Sequence, residues 1–154
     1  MTGRGLGAEF QRKQLHRAAQ DGDLARVNDL IERNYPVNRF DGLGKTPLHY
    51  AVQGNRLEVA RRLIQAGANV NAHDERVIGD TPLSDYAREC AYEMAKLLID
   101  AGADPTIRGW MQMNAIDQAR QRTDANARKI VWLLEGAATG TGLRVRRPVA
   151  PEAG

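Results

Sequence analysis

Three histidines and one cysteine are the side chains of this sequence best suited to covalent or metal chemistry: His16, His49, His73 and Cys90. Their surroundings argue against that use. A catalytic zinc site needs an arrangement such as His-Glu-x-x-His on one helix face, a structural zinc needs paired cysteines, and many serine hydrolases present Gly-x-Ser-x-Gly. None of these patterns occurs in the chain. Gly42-Leu43-Gly44-Lys45-Thr46 ends like a phosphate-binding loop, but it lacks the earlier glycine of such a loop and no strand pattern leads into it. Cys90 has no histidine near it in sequence to draw off its proton. The residues therefore predict no catalytic group, no metal and no cofactor. An enzyme or ligand-binding protein working through Cys90 or His73 stands as the alternative reading.

His16 and His49 are better explained by the elements that carry them, because they recur in phase. Thr46-Pro47-Leu48-His49-Tyr50-Ala51 returns as Thr81-Pro82-Leu83-Ser84-Asp85-Tyr86 and as Asn114-Ala115-Ile116-Asp117-Gln118-Ala119, and Leu15-His16-Arg17-Ala18-Ala19 precedes them. The leucine-equivalent positions 15, 48, 83 and 116 lie 33, 35 and 33 residues apart. Such a period signals one supersecondary unit repeated and stacked. Thr46 and Thr81 suit the helix N-cap, and Pro47 and Pro82 suit the first helical position, where a missing N–H costs nothing. A second apolar helix follows in each unit: Leu24, Val27, Leu30 and Ile31, then Leu57, Val59, Ala60, Leu63 and Ile64, then Met94, Leu97, Leu98 and Ile99. Gly22 and Asn55 suit a left-handed turn between the two helices. Cys90 falls in the same slot and suits it poorly, so that turn is expected to be adjusted, with the helix running further. In the last unit Ile130, Val131, Leu133 and Leu134 arrive late, as in an irregular C-terminal cap.

These residues resemble the ankyrin repeat family. The likeness rests on Thr46-Pro47-Leu48-His49-Tyr50-Ala51, Leu57-Glu58-Val59 and Gly67-Ala68-Asn69-Val70-Asn71-Ala72-His73-Asp74. Repeat three carries it through Thr81-Pro82-Leu83, Lys96-Leu97-Leu98-Ile99 and Ala101-Gly102-Ala103-Asp104. The resemblance implies an all-α solenoid of about four helix-turn-helix repeats with projecting β-hairpin-like fingers. It also implies protein binding on the concave face made by fingers and first helices, with no common catalytic site. The expected organisation is a flexible N-terminus over 1–7, a repeat domain over 8–137 (units 8–45, 46–80, 81–113 and 114–137) and a flexible basic tail over 138–154. The sequence departs from the pattern at Cys90 and Tyr86, at Pro105-Thr106-Ile107, and in two extra residues within Glu75-Arg76-Val77-Ile78-Gly79. All of these departures surround repeat three.

The candidate binding residues sit just upstream of each helix start. Finger tips are normally polar, because water satisfies their backbone. Here Phe40 and Leu43, then Val77 and Ile78, then Trp110 and Met111 occupy consecutive tips, flanked by Arg76, Arg108, Glu75 and Asp80. An aromatic anchor with a polar rim is the composition of a protein-binding hot spot. Arg88, on a first helix, is a secondary candidate.

Charge argues against one class of partner. The chain carries a net +3, but residues 1–14 contribute +2 and residues 138–154 another +2, leaving −1 for residues 15–137. Nucleic-acid binding through phosphate contacts needs a cationic face on the fold, and this body offers no such excess. With one cysteine, no signal-like apolar segment at its start and no long apolar run, the chain reads as cytoplasmic and without a membrane span. The sequence thus predicts a non-enzymatic protein-protein interaction module that binds a protein partner, serving as an inhibitor, immunity-type or adaptor protein. A monomer is expected; a self-associating structural protein, meeting its own copy through the apolar tips, is the other alternative.

Overall fold

A computed structural model describes residues 13–77 and 79–139. The expected N-terminal segment 1–7, Ile78 and the basic tail from residue 140 lie outside the described residues. The helices come in pairs: α1 (Gln14–Asp21) with α2 (Leu24–Glu32), α3 (Pro47–Gln53) with α4 (Leu57–Gln65), α5 (Pro82–Tyr86) with α6 (Tyr92–Asp100), and α7 (Ala115–Ala119) with α8 (Ala127–Ala138). No strand occurs among the described residues. The first helices α1, α3, α5 and α7 pack in series, and the second helices α2, α4, α6 and α8 form a second row behind them. Between the rows lies one continuous apolar core, with Leu15, Leu48, Leu83 and Ile116 from the repeated motif facing Val27, Leu30, Val59, Leu63, Met94, Leu98, Ile130 and Leu134. Helices this short are unstable alone; stacking buries the apolar stripe that each pair cannot cover by itself.

The helix starts follow from reciprocal capping. Thr46 N–H donates to His49 Nδ1 (3.0 Å), Thr81 N–H to Ser84 Oγ (2.9 Å), and Asn114 N–H to Asp117 Oδ2 (3.3 Å). The reverse arm is present too, Ser84 N–H reaching Thr81 Oγ1 at 3.1 Å and Asp117 N–H reaching Asn114 Oδ1 at 2.9 Å. Gly22 (φ 74) and Asn55 (φ 52) make the left-handed turns between paired helices. There Asp23 N–H closes on Ala18 C=O and Arg56 N–H on Ala51 C=O.

Repeat three departs from this plan. Cys90 is absent from the left-handed residues; α5 does not run further as its sequence suggests but stops at Tyr86, and a turn follows in which Cys90 N–H donates to Tyr86 C=O (2.8 Å). The carbonyls left open in that turn are taken by Arg122, which donates to Ala87 O (3.0 Å) and Cys90 O (2.8 Å) and is held by Asp124 at 2.8 and 2.6 Å. This explains the long 120–126 link before α8: it brings a buried guanidinium back onto repeat three. The arm after α4 is not extended throughout. Ala72 N–H bonds Asn69 C=O and Asn71 N–H bonds Asn69 Oδ1, which makes a turn. Asn71 then ties repeat to repeat, bonding Gly102 O (3.1 Å) and Asp104 N–H (2.7 Å), as Asn38 does with Gly67 O and Asn69 N–H.

Candidate interaction surface

Each finger is organised by one acidic residue. In finger 1, Asp41 Oδ1 accepts the N–H groups of Leu43 (2.9 Å) and Lys45 (3.0 Å), and Oδ2 accepts the Tyr50 hydroxyl. Burial pushes the Asp41 carboxyl up, but these three donors outweigh it and leave it below the usual aspartate range; burial and the same carboxylate push Tyr50 up. A hairpin-like closure, Asp41 N–H to Lys45 C=O, completes the finger. In finger 2, Asp74 occupies the matching place. Arg76 claims its carboxylate by side chain (3.0 and 3.2 Å) and by N–H (3.1 Å), and these bonds hold Asp74 below its ordinary value.

Finger 3 is built differently. Its tip, Trp110–Gln112, is a tight turn in which Met111 (φ 57, ψ 22) and Gln112 (φ 60) are both left-handed. Met113 N–H closes on Trp110 C=O (3.2 Å) and Gly109 N–H on Met113 C=O (2.9 Å). Two successive left-handed residues define a type I′ hairpin turn, normally made by Asn-Gly. Met-Gln in that position carries backbone strain of about 1–3 kcal/mol per residue. The bend carries Trp110 and Met111 outward, with 59% and 66% of their surface exposed.

The fingers touch one another through glycines. A side chain on Gly44 would meet Val77 Cβ and Asp74 Cβ at 3.3 Å, and one on Gly79 would come within 4.0 Å of Gly109 Cα. Val77 thus lies against finger 1 yet stays 50% exposed, and Leu43 is 56% exposed. Of the residues singled out in the sequence, Leu43, Val77, Trp110 and Met111 are presented outward on three adjacent fingers. Phe40 is half-buried at the base of finger 1, Arg76 and Arg108 are exposed beside the tips, and Ile78 lies outside the described residues. Arg88 is on the first-helix side, where it donates to Gln118 and Gln121 of the next repeat.

Charges beside the strip are matched within the molecule. Arg76 is bound to Asp74, Lys45 pairs with Asp85 (3.0 Å) in a half-buried bridge that Gln53 also joins (2.6 Å), and Arg108 donates to Gln112 O and stands 3.8 Å from Asp117. Between α1 and finger 1 lies a shallow depression of about 370 Å³, walled by Lys13, Arg17, Gln20, Leu43 and Tyr50.

The residues with chemical potential are placed as the fold requires. His16 Nε2 meets Arg39 O (2.9 Å) and Lys45 O (3.2 Å), and His49 Nε2 donates to Asp80 O (2.8 Å). With Nδ1 accepting from Thr46, His49 is neutral; burial holds its proton affinity below the ordinary value, against the pull of the Asp80 carbonyl. His73 bonds Asn71 O (2.8 Å) and lies 3.6 Å from Glu75. Cys90 is fully buried, and burial pushes its thiol up to about 12, against the weaker opposing pull of Arg122. No group of three or more His, Cys, Asp or Glu side chains able to hold a metal occurs among the described residues, and no helix among them is long and apolar enough to cross a membrane.

The family described as "Ankyrin repeats (3 copies)" matches residues 15–109. This chain belongs to the ankyrin repeat family. Members of this family are generally protein-protein interaction modules. Curated relatives include the palmitoyltransferase Hip14 of Drosophila melanogaster, 38% identical over 92 residues (60% of this chain, 14% of that protein). A putative ankyrin repeat protein of Rickettsia felis is 36% identical over 104 residues (62% of this chain, 45% of that protein), and human inversin is 37% identical over 102 residues (64% and 9%). The chain spans less than half the length of each, so the likeness concerns the repeat segment they share. Within this chain, the features that one repeat does not share with the others are the strained third finger, the adjusted turn at Cys90 and its Arg122 clamp. Arg122 is not legible in the sequence, and Asp80 reads there only as a polar flank of the strip, because both act across a repeat boundary. The one available signal was the lysine-to-aspartate change between the matching positions Lys45 and Asp80.

Proposed function

We propose that this protein is a non-enzymatic docking module that binds one protein partner through the finger-tip strip Leu43, Val77, Trp110 and Met111, with Phe40, Arg76, Arg108 and Arg88, in the turn after α5, at its margins. One observation carries the reading: four large apolar side chains are at least half exposed on three consecutive fingers, whose bases are locked by the Asp41, Asp74 and Asp80 carboxylates. Rigid presentation lowers the ordering cost of binding. Because Arg76, Lys45 and Arg108 already have acidic partners in the molecule, the strip suits an apolar, weakly charged partner surface, and binding should respond little to salt. The same geometry serves an inhibitor, an immunity-type protein or an adaptor, each of which acts by occupying a partner's surface.

The test is affinity capture from the native cell, followed by titration of the recovered partner against wild type and Trp110→Ala. A central aromatic anchor is worth about 2 kcal/mol or more, roughly thirtyfold in affinity. Unchanged affinity in a folded Trp110→Ala protein sinks the reading. Sedimentation of the purified chain decides the self-association alternative: a dimer dispersed by Trp110→Ala would assign the strip to a second copy instead.

A further inference from the structure

In the first two repeats the residue that ties each first helix to the next finger is the motif histidine. His16 Nε2 reaches Lys45 O (3.2 Å), and His49 Nε2 reaches Asp80 O (2.8 Å). Both carbonyls belong to the residue just before the next helix N-cap. In repeat three the matching side chain is Ser84. It is too short for that reach, and its hydroxyl turns back to Thr81 and to Asp80 Oδ1 (3.4 Å). Finger 3 therefore lacks the histidine tie, although it bears the most exposed aromatic and the most strained turn of the three.

A carboxylate stands in the histidine's place. Asp80 Oδ1 accepts the N–H of Trp110 (3.2 Å) from the neighbouring finger. The backbone of Gly109 lies directly on this carboxylate: a Cβ there would fall 2.0 Å from Oδ1 and 3.0 Å from Asp80 Cα. Only glycine permits that approach. Because Asp80 C=O is itself held by His49, the order of the buried motif passes through one residue, from imidazole to carbonyl to carboxylate to the Trp110 amide.

We infer that Asp80 is the positioning residue of the finger-3 binding element, its carboxylate setting the backbone conformation that turns Trp110 and Met111 outward. The inference rests on the partner-docking reading for its biological meaning, but the tie itself is independent of any partner. Burial raises the Asp80 carboxyl above its ordinary value, the Trp110 and Ser84 bonds oppose this, Asp85 on α5 adds to it and Lys45 on finger 1 subtracts. His49 on α3 meets Asp80 through the carbonyl only, and Arg108 on finger 3 is turned to Gln112 O and Asp117. A half-buried carboxylate that resists ionisation opposes folding at neutral pH, which fits a role in presentation rather than in stability.

The test follows the Trp110 backbone amide by NMR in the full chain. In the wild type its proton shift should titrate with pH along with the Asp80 carboxyl, at a midpoint above that of ordinary aspartates, and Asp80→Asn should abolish the titration. In Asp80→Ala the Trp110 amide should exchange with solvent roughly tenfold to a hundredfold faster, the loss of one bond to a charged acceptor. Asp80→Asn, which keeps an acceptor oxygen, should restore most of that protection. A Trp110 shift that stays flat while the Asp80 carboxyl titrates, or one that persists in Asp80→Asn, overturns the assignment. These readouts use no partner, so they stand or fall apart from the Trp110→Ala binding test.

Discussion

His49→Ser is a substitution that repeat three has already made. Ser84 occupies the same repeat position and closes its capping box with Thr81, so serine at 49 should keep the start of α3 and lose only the link to repeat three. That link is the 2.8 Å bond from Nε2 to Asp80 O, made by a side chain that is 1% exposed. Stranding a buried carbonyl costs about 1–3 kcal/mol, and the space left by the imidazole adds roughly 1–2 kcal/mol. The expected loss is therefore about 2–5 kcal/mol, a large share of the roughly 5–15 kcal/mol available to a domain. Urea unfolding followed by far-ultraviolet circular dichroism measures it. The pH dependence gives a second readout. Burial lowers the proton affinity of His49 in the folded chain, so below the ordinary value of about 6.5 the unfolded state binds a proton that the folded state lacks. The stability supplied by neutral His49 is complete above that pH and is lost as the pH falls through it. The slope reaches up to about 1.4 kcal/mol per pH unit. The gap between wild type and His49→Ser should accordingly narrow on acidification from pH 7.5 to 5.5. A loss under about 0.5 kcal/mol, the range of ordinary surface substitutions, or a gap that does not narrow, would refute the histidine tie.

Other outcomes follow from the same contacts. Arg122→Ala strands the Ala87 and Cys90 carbonyls, with an expected loss of about 2–4 kcal/mol in urea unfolding; a loss below about 1 kcal/mol would mean the clamp is not formed. Cys90, buried and with its thiol pushed up to about 12, should react with a disulfide reagent only as fast as the chain opens, and rapid stoichiometric labelling of the native protein at pH 7 would contradict its placement. For Asp80, whose carboxyl is raised by burial, the sign is opposite to that of His49. Its favourable contribution is present below the unfolded value of about 3.9 and disappears as the pH rises through the folded value. Asp80→Asn should thus melt at the same temperature as wild type or higher at pH 7, and a marked drop in thermal midpoint would contradict this.

Much of the fold is legible in the residues because the determinants are local. Thr46-Pro47, Thr81-Pro82 and Asn114 mark helix starts by capping chemistry within three residues, and Gly22 and Asn55 mark left-handed turns by their own backbone freedom. The misfit at Cys90 is legible for the same reason, and the turn is indeed adjusted there, although the helix stops at Tyr86 instead of running further. The Arg122 clamp is not, because its partners are 35 and 32 residues away and no spacing rule links an irregular cap to a neighbour's turn. Similarly, Leu43, Val77, Trp110 and Met111 stand out in sequence as apolar residues in tips, but whether tips pack on one another or face water depends on how close successive fingers come.

From sequence alone came the period, the helix starts, the repeat family and the absence of a patterned catalytic or metal site, since each depends on residue type at short, repeated spacing. Tertiary structure alone decided how the third finger is held. His49 donates to the Asp80 carbonyl, and the Asp80 carboxylate accepts from the Trp110 N–H, joining residues separated by whole repeats only because stacking sets them side by side. A periodic sequence specifies what recurs; the contacts that make one finger unlike the others arise where two different repeats meet.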